Sequence, residues 1–242
     1  AGTNAPDSRV TFGCGYLHDS IAEHFEDAVR RFPVLLPLLS DEQPSRFPHL
    51  RLHNGTLWHW NRPLIGFDED GATHVRIEHR VLPAGPSLLD MVANAALYVG
   101  LVSALATLSR PVEADLPFEA AQRNFYAAAR DGLDAEIAWL DGRRGPVRAL
   151  LLDELLPMAR QGLREQGVDA GEIERWIGIV EQRVRTRRTG SAWQCAFIER
   201  HGRDFQRMLA AYLERQRSGA PVHEWPACRC ACSITCRKGC ST

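Results

Sequence analysis

Residues 73–110 read THVRIEHRVLPAGPSLLDMVANAALYVGLVSALATLSR, and two periodicities meet inside them. The first part alternates. Side chains along a strand point to opposite faces with period two, so Val75, Ile77, His79 and Val81 share one side, and His74, Arg76, Glu78 and Arg80 share the other. The pattern predicts a strand with an apolar, buriable face and a charged face on which one carboxylate lies between two guanidinium groups. Pro83, Gly85 and Pro86 end it. Ser87, followed three residues on by Asp90, has the form of a capping box with Asp in place of Glu or Gln, so a helix is expected from there. Its body, residues 91–108, is uncharged and long enough to raise a membrane span. Asn94, Gly100, Ser103 and several alanines weaken its drive into lipid. The reading adopted is a buried helix that holds the strand against the core, with no membrane as partner.

Upstream, residues 9–16 (RVTFGCGY) form a short strand or loop, and an amphipathic helix is expected from about Asp19 to Phe32, with Ile21, Phe25, Ala28, Val29 and Phe32 on one face. Residues 50–61 (LRLHNGTLWHWN) read as two strand segments broken at Asn54-Gly55, a tight-turn dipeptide, the second ending at Pro63. An acidic loop over residues 67–72 then leads into the central strand, so antiparallel pairing is expected. Downstream, helices are expected at 118–130 with Pro117 at the first helical position, at 147–166 with a kink at Pro157, from an Asp169 cap to about Arg185, and at 191–217. A short strand is expected at 136–140. Strands first and helices afterwards indicate an α+β fold.

The chain has 242 residues, 45% of them hydrophobic and 24% charged, enough for a real core in one large domain or two small ones. A net charge of −1 sets up no field toward nucleic acid, and no nucleic-acid partner is expected. No basic stretch followed by an apolar one opens the chain, so no signal peptide is expected. Five of the seven cysteines crowd positions 228–240, in a tail whose composition changes after Trp225-Pro226. A disordered tail is expected there, and a thiolate metal site is the competing reading. The body has no disulfide framework, which suits a cytoplasmic location.

Three groups of residues could carry chemistry. Glu78 with Arg76 and Arg80 could hold Mg²⁺ while the guanidiniums offset phosphate charge; a surface ion-pair ladder has the same spacing. His53, Asn54, Trp58, Asn61 and Arg62 come next. Trp58 and Trp60 could stack a base or simply pack, His53 could serve as ligand or acid–base group, and Arg62 could clamp an oxyanion with two parallel bonds. Third, Arg183, Arg185, Arg187 and Arg188 precede Thr189-Gly190-Ser191. A basic cluster at a helix start suits an anion, and a solvated basic helix end reads the same way.

The segments LHNGTLWHWNRP, HVRIEHRVLPAGPSLLDMVANAALYVGL, RTGSAWQ and PVHEWP resemble the C-terminal half of bacterial glutamate–cysteine ligase-related proteins of the carboxylate–amine ligase superfamily. The resemblance covers residues 9–226, leaving 227–242 as a tail foreign to the pattern. It implies a glutamine-synthetase-like antiparallel sheet backed by helices, incomplete because the upstream half, with its Gly-x-Glu-x-Glu-like strand of further metal carboxylates, has no counterpart here. It implies ATP- and Mg²⁺-dependent joining of the glutamate γ-carboxylate to the amine of cysteine, or another amine, through an acyl phosphate, in a chain that could form a homo-oligomer. By the same resemblance Glu78 is a metal ligand, Arg80 and Arg62 contact phosphate or substrate carboxylate, and His53 and Arg188 lie at the nucleotide. A non-catalytic remnant of that family is the alternative.

Overall fold

The computed structural model describes residues 8–226; the expectations for the cysteine-rich tail lie outside the described residues. The chain divides into two compact units, with the boundary between Pro83 and Ala84. The strand and the helix that open the sequence argument therefore belong to different units, not to one.

The first unit begins with β1 (Val10–Thr11) and α1 (Ala22–Arg31). Then come α2 (Pro48–Gly55), β2 (Trp58–His59), β3 (Asn61–Phe67) and β4 (Thr73–His79). The helix α2 overturns the expected strand over residues 50–54. Pro48 starts it at the first turn, where a missing N–H is harmless. Asn54-Gly55 forms its last turn rather than a hairpin. The hairpin is instead β3–β4, antiparallel, with Arg62 opposite Glu78 and Phe67 opposite Thr73. Its loop closes through Asp68 and Ala72 at 2.9 Å, and Gly71 takes a left-handed φ of 85° that suits glycine.

Pro63, expected to stop the strand, lies inside it, opposite Ile77. The Arg80 amide bonds the Trp60 carbonyl, so in the alternating antiparallel ladder the even-numbered residues of β3 point their amides at β4. Pro63 faces the other edge, where its carbonyl accepts from Asn54 Nδ2 at 2.8 Å, and its missing N–H removes no ladder bond. The β1–β2 pair is parallel, with Val10 opposite Trp58. The apolar face of β4 is also not buried as expected: Val75 is 46% and Ile77 52% exposed. The core of this unit is Ala28, Phe32 and Leu57, where α1 meets the α2–β2 turn.

The second unit is mainly helical. Its elements are α3 (Leu88–Leu105), α4 (Val112–Asp115), α5 (Phe118–Asp131), β5 (Glu136–Ala138), β6 (Arg144–Pro146) and α6 (Val147–Leu150). A π turn over Leu151–Leu155 joins α6 to α7 (Leu156–Glu165), and α8 (Ala170–Thr186), α9 (Gly190–His201) and α10 (Phe205–Arg217) follow. Strand β6 pairs antiparallel with β5. Pro157 cannot donate to the carbonyl four residues back, and the helix widens into the π turn just ahead of it. The single late helix expected over 191–217 is two helices, because Gly202, at φ 76°, ends α9.

Ser87 does cap α3, with the return bond made to its hydroxyl rather than to its amide. Ser87 Oγ accepts from the Asp90 amide at 3.2 Å and donates to Asp90 Oδ2 at 2.8 Å. Asp90 is fully buried, and its Oδ2 also accepts from the Val222 amide at 2.9 Å. The α3 helix packs along α7 and α8. At its crossing with α7, Gly100 and Gly162 bring the two backbones into direct contact. Only one face of α3 is buried, through Ala93, Gly100 and Ala104. The other exposes Leu88, Met91, Val92, Val99 and Val102, so the expected burial holds for one face of the helix only. Among the described residues this is the one helix long and apolar enough to cross a membrane.

Candidate functional site

Folding back α2 beside the β3–β4 hairpin builds the site around Arg62. The side chain of Arg62 is 10% exposed. Its Nη1 donates to the carbonyls of Asn54 and Leu57, both at 3.0 Å. These lie at and just beyond the end of α2, where carbonyls lack helical partners. Its Nε and Nη2 reach Glu78 Oε2 at 3.0 and 2.9 Å. Arg62 therefore locks the helix end to the opposite strand, with most of its donors already committed.

Arg80 approaches the same oxygen, with Nε 3.5 Å from Glu78 Oε2. Its guanidinium lies 3.7 Å from the centre of the Trp58 ring, a cation–π contact. This contact occupies one face of the indole expected as a stacking platform; Trp60 meets Trp58 edge-on at 6.2 Å. The two Nη nitrogens of Arg80 make no hydrogen bond in the described structure, so this guanidinium is held in place yet still able to meet an oxyanion. Arg76 was expected to flank Glu78 but turns instead to His74, with Nη1 to Nε2 at 3.0 Å. His74 Nδ1 in turn meets Asp68 Oδ1 at 2.9 Å. A guanidinium can only donate, so in this contact His74 Nε2 is the acceptor and its Nδ1 faces Asp68 as donor.

Arg62 and Arg76 line a cavity of about 570 Å³ together with Arg51, Glu42, Asn54 and Phe25. This lies within the range typical of small-molecule sites, roughly 300–1,000 Å³. Glu78 and Arg80 are not among its lining residues. Sequence reasoning missed Arg51 and placed Arg76 elsewhere. The contribution of Arg51 arises only because residues 48–55 are helical.

The structure thus brings Arg62, Glu78 and Arg80 together and keeps His53 apart from them. His53 Nε2 bonds the Ala28 carbonyl at 3.1 Å, tying α2 to α1. Two other histidines fill the space between these elements. His24 Nε2 meets Asn54 Oδ1 at 3.0 Å, and His24 and His59 contact edge-on at 5.1 Å. His59 is 8% exposed and its Nε2 has no partner. Burial, reinforced by His24, pushes its pKa down to about 4.

Arg188 belongs to the second unit. Its Nη1 donates to the His223 carbonyl at 2.9 Å, and it lines a small cavity of about 180 Å³ at the start of α9 with Thr189, Trp193 and Val222. Arg187, from the same cluster, pairs with Asp134, and Arg183 reaches Asn94 Oδ1 at 2.7 Å and approaches the buried Asp90. Of the four arginines in that run Arg183 alone is committed inward, while Arg185 and Arg187 pair with Glu181 and Asp134 nearer the surface, which position in sequence alone did not reveal.

Among the described residues, Glu78 does not by itself make a Mg²⁺ site. Mg²⁺ is held by one or two carboxylates with waters and substrate phosphates. Here Glu78 is a single carboxylate with two guanidiniums on one of its oxygens, and among the described residues no three His, Cys, Asp or Glu side chains converge.

Comparison with known proteins gives a family match. No curated protein and no solved structure matches the chain. The profile of glutamate-cysteine ligase family 2 (GCS2) matches residues 54–220, more than half of the chain. The matched region includes Arg62, Glu78, Arg80 and Arg188, with His53 one residue outside it. On that match the α+β chain, with its small sheets and dominant helices, belongs to glutamate-cysteine ligase family 2.

Proposed function

We propose that the chain serves an ATP-dependent carboxylate–amine ligase that joins the γ-carboxylate of glutamate to the amine of cysteine. In the first step a carboxylate oxygen attacks the γ-phosphorus of ATP, the bond to the β-phosphate oxygen breaks, and ADP leaves. In the second the amine nitrogen attacks the acyl carbon, phosphate departs and the nitrogen loses a proton. Both steps concentrate negative charge on oxygens, which pre-placed cations stabilise. Arg80, anchored on Trp58 with its Nη groups unengaged, supplies such a cation. Arg76 supplies another at the cavity. Glu78 orients this frame, and Arg62, which also lines that cavity, braces it.

The family match over residues 54–220 carries this reading. A coupled ADP-release assay with ATP, glutamate and a panel of amines tests it. Turnover that requires glutamate and one amine is expected, and Arg80→Gln should remove it without loss of secondary structure. Turnover unchanged by Arg80→Gln would take that residue out of the site. The small donor set around Glu78 favours a second reading, in which this chain holds only part of the catalytic centre. In that case ADP release appears only when the chain is completed with a segment supplying further carboxylates.

A further inference from the structure

The face of α3 turned away from α7 and α8 carries a regular pattern. Leu88, Val92, Ala95, Val99, Val102 and the cap residue Ala106 are all exposed, Leu88 by 67% and Val102 by 47%. They follow one another at steps of 4, 3, 4, 3 and 4 residues. On a helix of 3.6 residues per turn these positions form one narrow stripe, opposite the inward-facing Ala93, Gly100 and Ala104. Apolar side chains repeating every 3.5 residues make the seam along which two helices pack, each side chain entering a hole in the facing helix. Apart from the buried Asp90, no side chain of α3 is charged.

Spacing and side-chain size together identify the occupant. The series of steps reads the same in both directions. A second copy of α3 laid antiparallel therefore sets Leu88 opposite Ala106, Val92 opposite Val102 and Ala95 opposite Val99, each pair occurring twice about a two-fold axis. Every layer then joins a larger side chain to a smaller one, or two of equal, middle size. A parallel copy would set Leu88 on Leu88 and Ala95 on Ala95, an alternation of bulges and gaps that close packing disfavours. Antiparallel helices also bring opposite dipole ends together. A bilayer suits this face less well, because helices that lie in a membrane surface carry basic side chains along their polar flank, and α3 has none. We propose that this face is a self-association surface, through which two copies of the chain pair by antiparallel α3 helices. The seam is about 27 Å long at 1.5 Å per residue, which places the contact at the small end of protein interfaces and makes the dimer a weak, reversible one. The proposal rests on α3 alone and not on the ligase reading.

Charge placed in the seam tests both the contact and its direction. Sedimentation velocity of the full chain over about 1–100 µM should show a monomer passing into a dimer. Val92→Lys and Val102→Glu each put an unpaired charge into two layers of that dimer, and each alone should weaken association at least about tenfold. Both positions are exposed, so the circular dichroism spectrum should not change. An equimolar mixture of the two variants should recover the dimer, because antiparallel copies bring the lysine of one opposite the glutamate of the other; parallel copies would leave both charges unmatched. A chain that stays monomeric throughout, a dimer that survives both substitutions, or a mixture no more associated than its components overturns the proposal. A monomer that floats with phosphatidylcholine vesicles would give the face to a bilayer and overturn it too.

Discussion

The crossing of α3 and α7 makes one substitution change sign with position. Gly162 faces Gly100 across the two helices, and a methyl group placed on it would lie 2.9 Å from the Ala104 amide nitrogen and press on the Gly100 carbonyl. Both obstacles are backbone, so no rotamer change relieves them and the helices must separate by about an ångström or more. A radial gap of that size forfeits about half of the attraction at each affected contact, and overpacking of this kind costs about 1–3 kcal/mol. Replacing Gly by Ala inside a helix otherwise gains about 1 kcal/mol. Because both obstacles are backbone, the cost at Gly162 lies at the upper end of that range, about 3 kcal/mol, and the net effect of Gly162→Ala is a destabilisation of about 2 kcal/mol. Gly178, inside α8, provides the control, because a methyl group there meets nothing within 4 Å. Gly178→Ala should stabilise by about 0.5–1 kcal/mol. Thermal unfolding followed by far-ultraviolet circular dichroism, which the helices of this unit dominate, should show Tm lowered by about 4–8 °C for Gly162→Ala and raised by about 1–4 °C for Gly178→Ala. Shifts of the same sign would refute the argument that backbone contact holds these helices together.

Three further outcomes follow from the geometry. Ser87→Ala removes the cap of α3 and a donor to the buried Asp90, so denaturant unfolding should report a loss of about 1–2 kcal/mol. Arg62→Lys cannot hold two carbonyls and a carboxylate at once, and Arg62→Ala leaves them unpaired; losses of about 1 and about 3 kcal/mol are expected in the first unit, checked by urea titration. His59 has its pKa lowered from 6.5 to about 4 in the fold, so the unfolded chain binds the proton first on acidification. Its contribution to stability is complete above pH 6.5, and is lost as pH falls from 6.5 toward 4, by about 2 kcal/mol at pH 5. His59→Gln should flatten that part of the pH dependence, and an unchanged slope would show that another group is responsible.

Local patterns were enough to locate much of this protein. The alternation at 73–79 is β4, Ser87 and Asp90 are the cap of α3, Asp169 starts α8, and Pro157 marks an irregular turn. Each of these is decided within a few residues, by backbone sterics or by a side chain reaching its own helix end. The segments around Glu78 and Arg188 also carried the family resemblance, which the match over residues 54–220 supports. Tertiary structure decided the rest. Asn54-Gly55 ends a helix because the Asn54 side chain is drawn to Pro63 and His24. Arg76 leaves Glu78 for His74, and Arg62 takes its place from the facing strand. A guanidinium reaches whichever acceptors packing brings within about 3 Å, and most of those acceptors lie in other elements of the chain, where spacing along the sequence carries no information about them.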